Sequence, residues 1–310
     1  MTAAQPTANT QSTPRISPDW LIALALLIGV VALWLPFGWN VGFVGDDWFL
    51  FLNARFGSAW ATLGRPLVPV PFVLGYALAP GQFVGFNLML ALLILARSGL
   101  CYAILRRLGV GRGLAFGAAA LVLVFPADTG LFYLGALNVY FSWIAFLLAF
   151  YCLLLYWRRP RVTFLAVLWL AQVLCLGTYE AAYPLILVAP LALLPERRSR
   201  SRWRGTLIRW YLFPALNLIR LALVALLSPA ALDYQSGLVT GGVPSIPSMI
   251  ESVVGVYTRH FWGGWVDGGI SSPYLLIGAA LGVLVAAVAW WLARRDPPAP
   301  SRVERWLPLA

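Results

Sequence analysis

The chain has no lysine, a single histidine and only 11 acidic residues against 22 basic ones, all arginine. Those shortages exclude several kinds of protein. One histidine, His260, and three cysteines without ligand spacing make no zinc set, so no metal-ligating cluster is read from the residues themselves. Cys101, Cys152 and Cys175 all fall within apolar runs, which implies no disulfide framework. A Gly-rich phosphate loop, a Ser–His–Asp arrangement and a nucleotide-binding strand–helix pattern are all lacking, which argues against ATP or a nucleotide sugar as substrate and against a primary pump. Charge of either sign is scarce, at 11% of residues, while 61% are hydrophobic and the mean hydropathy is +0.81. No soluble domain has that composition.

What is present is a series of apolar runs, each about 17–25 residues long, as a bilayer crossing requires. The sequence predicts an all-α polytopic membrane protein with about eight spans, near 20–37, 83–105, 113–127, 136–157, 162–178, 181–194, 207–228 and 273–293. Residues 1–19 read as a polar tail, 20–294 as the membrane domain and 295–310 as a second tail. The first span ends in Leu35-Pro36-Phe37-Gly38 with no small-residue cleavage site, so it reads as a retained helix rather than a signal peptide. Gly177–Pro184 nearly joins the fifth and sixth spans, which can also be read as one re-entrant pair.

The net charge of +11 would point to nucleic acid in a soluble protein. Here 17 of the 22 arginines lie in alternate loops and the terminal segments, on one side of the predicted spans. The positive-inside rule then places both termini in the cytoplasm, with no nucleic-acid partner and the lipid bilayer as surroundings. Two long extracytoplasmic loops follow, about 38–82 and 229–272. In the first, Asp47, Phe51 and Arg55 share a helical face, so 45–62 reads as a short interfacial helix broken at Gly64–Pro66. In the second, Ile246, Ile250, Val253, Val254, Tyr257 and Phe261 form an apolar stripe bounded by Pro247 and Gly263-Gly264.

Seven acids fall outside the predicted cytoplasmic side: Asp46, Asp47, Asp128, Glu180, Asp233, Glu251 and Asp267. Asp46 and Asp47 follow the first span directly. One can serve as a general base while its neighbour, about 100° away around a helix, is held by arginine or metal; both can equally be a hydrated helix start. Glu180, in Thr178-Tyr179-Glu180-Ala181-Ala182-Tyr183-Pro184, sits between two short spans, where a carboxylate is costly and is either functional or a boundary residue reaching water. Arg97 is close enough to a span end to snorkel. Arg220 is deeper and calls for an acid or phosphate partner, Glu180 or a lipid phosphate, with Asn217 on the same face. Arg65, in Leu63-Gly64-Arg65-Pro66, can bind a phosphate bidentately or anchor at the interface. Arg259 and His260 lie in an aromatic stretch suited to phosphate and sugar contacts, or to an aromatic belt.

The order of these features resembles the GT-C class of membrane glycosyltransferases. Gly45-Asp46-Asp47-Trp48 is similar in place and type to the acidic pair that the class carries after its first span. Trp60-Ala61-Thr62-Leu63-Gly64-Arg65-Pro66-Leu67 resembles the Trp…Gly-Arg segment of O-antigen glucosyltransferase-like members that use polyprenyl-phosphate sugars. The resemblance covers residues 20–70; beyond them Tyr179-Glu180…Tyr183-Pro184 is also similar. It implies a multi-pass enzyme of the bacterial inner membrane that moves a hexose from a polyprenyl-phosphate donor to a glycan, lipid or protein acceptor on the outer face. Asp46 or Asp47 would be the catalytic base, and Arg65, Glu180, Arg220, Arg259 and His260 would contact substrate or phosphate. Some members of the class hold a divalent cation, Mg or Mn, at the acidic loop, and others do not. Many also have more spans and a soluble C-terminal domain. The competing readings from composition are a secondary transporter or flippase working through Glu180 and Arg220, and a non-catalytic subunit of an envelope-glycan complex.

Overall fold

The computed structural model describes residues 19–38, 55, 65–124, 134–179, 182–196, 200–227, 247, 251, 254–255 and 274–295. Its helices are α1 (Asp19–Gly38), α2 (Pro69–Leu78), α3 (Val84–Arg107), α4 (Arg112–Val124), α5 (Leu137–Arg158), α6 (Val162–Thr178), α7 (Tyr183–Val188), α8 (Arg200–Leu227) and α9 (Tyr274–Arg295). Short 3₁₀ stretches occupy Leu134–Ala136 and Ala189–Glu196. No strand occurs among the described residues. Seven of the eight apolar segments read from the sequence fall on single α-helices, and the sixth, 181–194, falls on α7 and the 3₁₀ stretch after it. Three helices, Val84–Arg107, Leu137–Arg158 and Ser201–Val224, are long and apolar enough to cross a membrane. The other apolar helical stretches searched are 10–17 residues long. Large hydrophobic side chains also point outward, among them Ile28 at 58% exposure and Val283 at 71%. Outward apolar side chains on long apolar helices are consistent with a helical membrane protein.

Two apolar clusters hold the described helices together, and α5 belongs to both. The first joins Ile22 and Leu26 of α1, Phe86 and Leu90 of α3, Phe116 of α4 and Tyr140 of α5. The second joins Phe146 and Trp157 of α5, Leu168 of α6, Ile186 of α7 and Trp210 of α8. The segment expected as an external loop, 38–82, contains α2, whose Phe72 is buried in the first cluster. Pro69 starts α2, at a position where a missing N–H costs nothing, and α2 packs closely on α3. The approach depends on Gly85, where an added Cβ would lie 2.2 Å from the Gly75 carbonyl.

The arginine-bearing helix ends converge. Asp19 at the start of α1 accepts from Tyr102 of α3 at 2.7 Å and pairs with Arg112 of α4 at 3.4 Å. Arg158 of α5 donates to the Arg107 carbonyl at the end of α3, and Arg202 of α8 donates to the Trp157 carbonyl. The guanidinium groups thereby satisfy carbonyls that the last helical turns leave without donors.

Prolines shape the other half. Pro190 and Pro195 turn the predicted span 181–194 into six α-helical residues followed by eight in 3₁₀ form. Pro190 has no N–H for the Ile186 carbonyl, and Trp210 Nε1 donates to that oxygen at 2.8 Å instead. Pro214 inside α8 likewise withholds a donor from the Trp210 carbonyl, and Gln172 Nε2 of α6 supplies it at 2.9 Å. Gln172 and Trp210 are both fully buried, so water is no substitute there. Replacing Gln172 by Leu should cost about 1 kcal/mol. Most of that cost should vanish in a Pro214→Ala background, where an alanine N–H can reach the Trp210 carbonyl. Thermal unfolding of the two single variants and the double variant in micelles measures the coupling.

Candidate functional site

A cavity of about 320 Å³ opens between α6, α8 and the turn before α2, at the bundle end away from the converging arginines. Its size falls within the range of small-ligand pockets. Pro66 and Leu67 come from the turn, Gln172, Leu176 and Gly177 from α6, and Phe213, Asn217 and Arg220 from α8. The walls are almost entirely apolar, with Arg220 as the cation.

The C-terminus of α6 is pinned in place, and that fixes one side of the cavity. Ser142 of α5, buried at 1% exposure, has its Oγ 3.1 Å from both the Cys175 and the Tyr179 carbonyl. Thr178 Oγ1 turns back to the Leu174 carbonyl at 2.6 Å. The Gly177 carbonyl accepts from the Leu67 N–H at 2.8 Å. That last bond requires glycine, because a Cβ at 177 would lie 2.7 Å from Leu67 Cδ1 and 2.8 Å from its Cγ. Each of these bonds uses a carbonyl or donor at the frayed end of an apolar helix. Tyr179 leaves α6 in an extended conformation, and Arg65 lies over its ring with the guanidinium carbon 4.7 Å from the centroid.

On the α8 side a short polar chain orients the cation. Arg220 Nε donates to Asn217 Oδ1 at 2.9 Å, and Asn217 Nδ2 donates to the Tyr183 hydroxyl. Arginine has only donors, so the asparagine oxygen must face it and the amide group must face Tyr183. The bond at Nε sets the plane of the guanidinium, a fork that matches phosphate or carboxylate.

Of the residues singled out from the sequence, the structure brings Arg65 and Arg220 to the same end, on either side of the α6 terminus. Asp46, Asp47, Glu180, Arg259 and His260 lie outside the described residues. Arg220 was expected to pair with an acid or a phosphate; it donates to Asn217, and Glu180, the acid expected there, lies outside the described residues. Arg97 does not snorkel toward the nearby arginine end. Its Nη2 donates to the Val122 carbonyl of α4 at 2.9 Å, and its guanidinium lies 5.0 Å from the Tyr140 ring centroid. A carbonyl in the last turn of α4 lies within its reach, and the negative end of the helix dipole favours the cation there. The sequence reading did not single out Gln172 or Ser142, and it named Tyr183 only within the Tyr179-Glu180…Tyr183-Pro184 segment. The available signal for Gln172 was Pro214: a proline inside an apolar helix leaves a carbonyl that a neighbouring amide must meet.

Compared with known proteins, the chain matches no family model and no curated sequence. The local resemblance described above stands on the quoted residues alone.

The Gly177–Leu67 contact is testable. Gly177→Ala should destabilise the protein by about 1–3 kcal/mol through overpacking. Leu67→Ala added to it should recover a large part by removing the atoms that the new Cβ strikes. Unfolding midpoints of the three variants in micelles report both effects. A glycine that mattered only for backbone freedom would show no rescue.

Proposed function

We propose that the chain is a membrane glycosyltransferase that accepts a polyprenyl-phosphate sugar and transfers the sugar on the extracytoplasmic face. The observation that carries this reading is the Arg220 guanidinium, oriented by Asn217 and set in a mostly apolar cavity away from the arginine-rich end. Apolar walls suit a prenyl chain, and a fixed guanidinium suits the phosphate that links chain to sugar. In the same reading all eight apolar segments cross the bilayer, with both termini cytoplasmic, and the membrane is the bacterial inner membrane.

The reaction follows from those roles. An acceptor hydroxyl attacks the anomeric carbon, and its proton passes to the carboxylate of Asp46 or Asp47. The bond from the anomeric carbon to the phosphate oxygen breaks, and polyprenyl phosphate leaves with the electron pair. Arg220, with Arg65 and Arg259, binds the charge that grows on that phosphate. In the same reading His260 and Glu180 contact the donor or acceptor. Displacement from the face opposite the phosphate inverts the anomeric centre.

The test is transfer of a radiolabelled polyprenyl-phosphate hexose to envelope glycan or lipid acceptors in proteoliposomes. Asp46→Asn or Asp47→Asn, whichever carries the base, should lower transfer by about 10²–10⁴-fold. Arg220→Gln should lower it by roughly 10²–10³-fold. Protein amounts should stay unchanged. Wild-type rates in all three variants would refute the assignment. Movement of the labelled lipid between leaflets without transfer would identify a flippase instead.

A further inference from the structure

The opposite end of the bundle carries a concentration of positive charge that the proposed transfer does not use. Two hydrogen bonds join its helix ends into one surface: Arg158 to the Arg107 carbonyl ties α5 to α3, and Arg202 to the Trp157 carbonyl ties α8 to α5. Arg202 also lies over the Trp157 ring at 5.3 Å. Next to these anchored residues are Arg159, Arg161 and Arg204, all exposed. Their guanidinium groups form no ion pair among the described residues. One carboxylate at this end, Asp19, is engaged by Tyr102 and Arg112. Arginine does not lose its proton at any physiological pH, so the charge is permanent.

The border of the surface indicates what meets it. Val162 directly follows Arg161 and is 80% exposed. Ile208, one turn beyond Arg204 on the same face of α8, is 70% exposed. The Trp157 and Trp203 rings meet edge to face at 6.0 Å beside them. Guanidinium groups beside bare aliphatic side chains match the two parts of a phospholipid, phosphate and acyl chain. A soluble polyanion such as RNA has no use for the aliphatic border.

We infer that the joined ends of α3, α5 and α8 form a binding surface for anionic phospholipid headgroups. Arg159, Arg161 and Arg204 take the phosphates, and Val162 and Ile208 lie against the acyl chains. The inference does not depend on the transfer reaction.

The experiment uses the full chain in phosphatidylcholine nanodiscs containing a minority of brominated phosphatidylglycerol, or the same fraction of brominated phosphatidylcholine. Quenching of tryptophan fluorescence reports which lipid lies against the protein. The wild type should be quenched more strongly by the phosphatidylglycerol, and the preference should weaken as salt rises. Each arginine near an anionic surface contributes roughly fivefold. Changing Arg159, Arg161 and Arg204 together to Gln should therefore weaken the preference by on the order of 100-fold. Melting of the triple variant in plain phosphatidylcholine discs should match the wild type, because the three side chains are exposed. If the triple variant does not fold, Arg204→Gln alone should lower the preference by about fivefold. Equal quenching by the two lipids, or a preference that survives the substitutions, overturns the inference. Binding of a short RNA to discs that show no lipid preference would overturn it too, and would assign the surface to nucleic acid.

Discussion

The carbonyl of Trp210 has no helical donor, because residue 214 is proline, and a fully buried oxygen in an apolar surrounding has no water to turn to. Gln172 meets it, and the Trp210 indole in turn meets the carbonyl that Pro190 leaves open in α7. The order matters. Were Trp210 displaced, both prolines would leave orphaned acceptors at once, and α6, α7 and α8 would lose the directional bonds that fix their rotation. Tyr211 and Trp169 add two more bonds of the same type, to the Leu187 and Arg209 carbonyls. Apolar packing alone is a weak guide where the surroundings are as apolar as the interior. Polar side chains that answer specific carbonyls therefore set the geometry on which the cavity depends.

The same logic separates the two ends of the bundle. At one end, arginines meet the terminal carbonyls of α3 and α5, so cationic groups close helix C-termini where the dipole favours them. At the other, α6 ends on neutral partners: Ser142, Thr178 and the Leu67 N–H. Among the described residues, neutral caps leave the charge near the cavity to Arg220 and Arg65.

Hydropathy made the helices legible because long apolar runs leave the backbone no alternative to internal hydrogen bonds. It failed where length and composition stopped being decisive. Residues 69–78 were absorbed into an external loop because ten residues are too few for a span, yet Phe72 and Gly75 give α2 a buried face against α3. The α7 segment was read as one span, while Pro190 and Pro195 divide it into α and 3₁₀ parts. The site was half legible. Arg220 and Asn217 were three residues apart on one face, and helical spacing alone put them together. Ser142 was invisible because its partners are backbone carbonyls on another helix, at a separation of 33 residues that no local pattern encodes, and only Pro214 signalled the carbonyl that Gln172 meets. The two interfacial helices read at 45–62 and around 246–261 lie largely outside the described residues.

Pro214 also explains why the cavity sits where it does along α8. Up to Trp210 the helix is tied to α6 and α7 by side-chain bonds, and Trp210 is 0% exposed. Apolar residues of α8 are exposed on both sides of the proline, 70% at Ile208 and 49% at Leu216, but no side-chain bond of the Trp210 kind follows it among the described residues. A helix interrupted in its ladder bends most easily at that point. The residues just beyond it, Asn217 and Arg220, therefore line a gap against Leu67 and Leu176 instead of a packed seam. A guanidinium in a packed apolar seam would pay the full cost of desolvation, whereas one at a gap with an amide on its Nε keeps part of its hydrogen bonding and can take an anion. The proline that forces Gln172 and Trp210 into their roles thus also leaves room for Arg220.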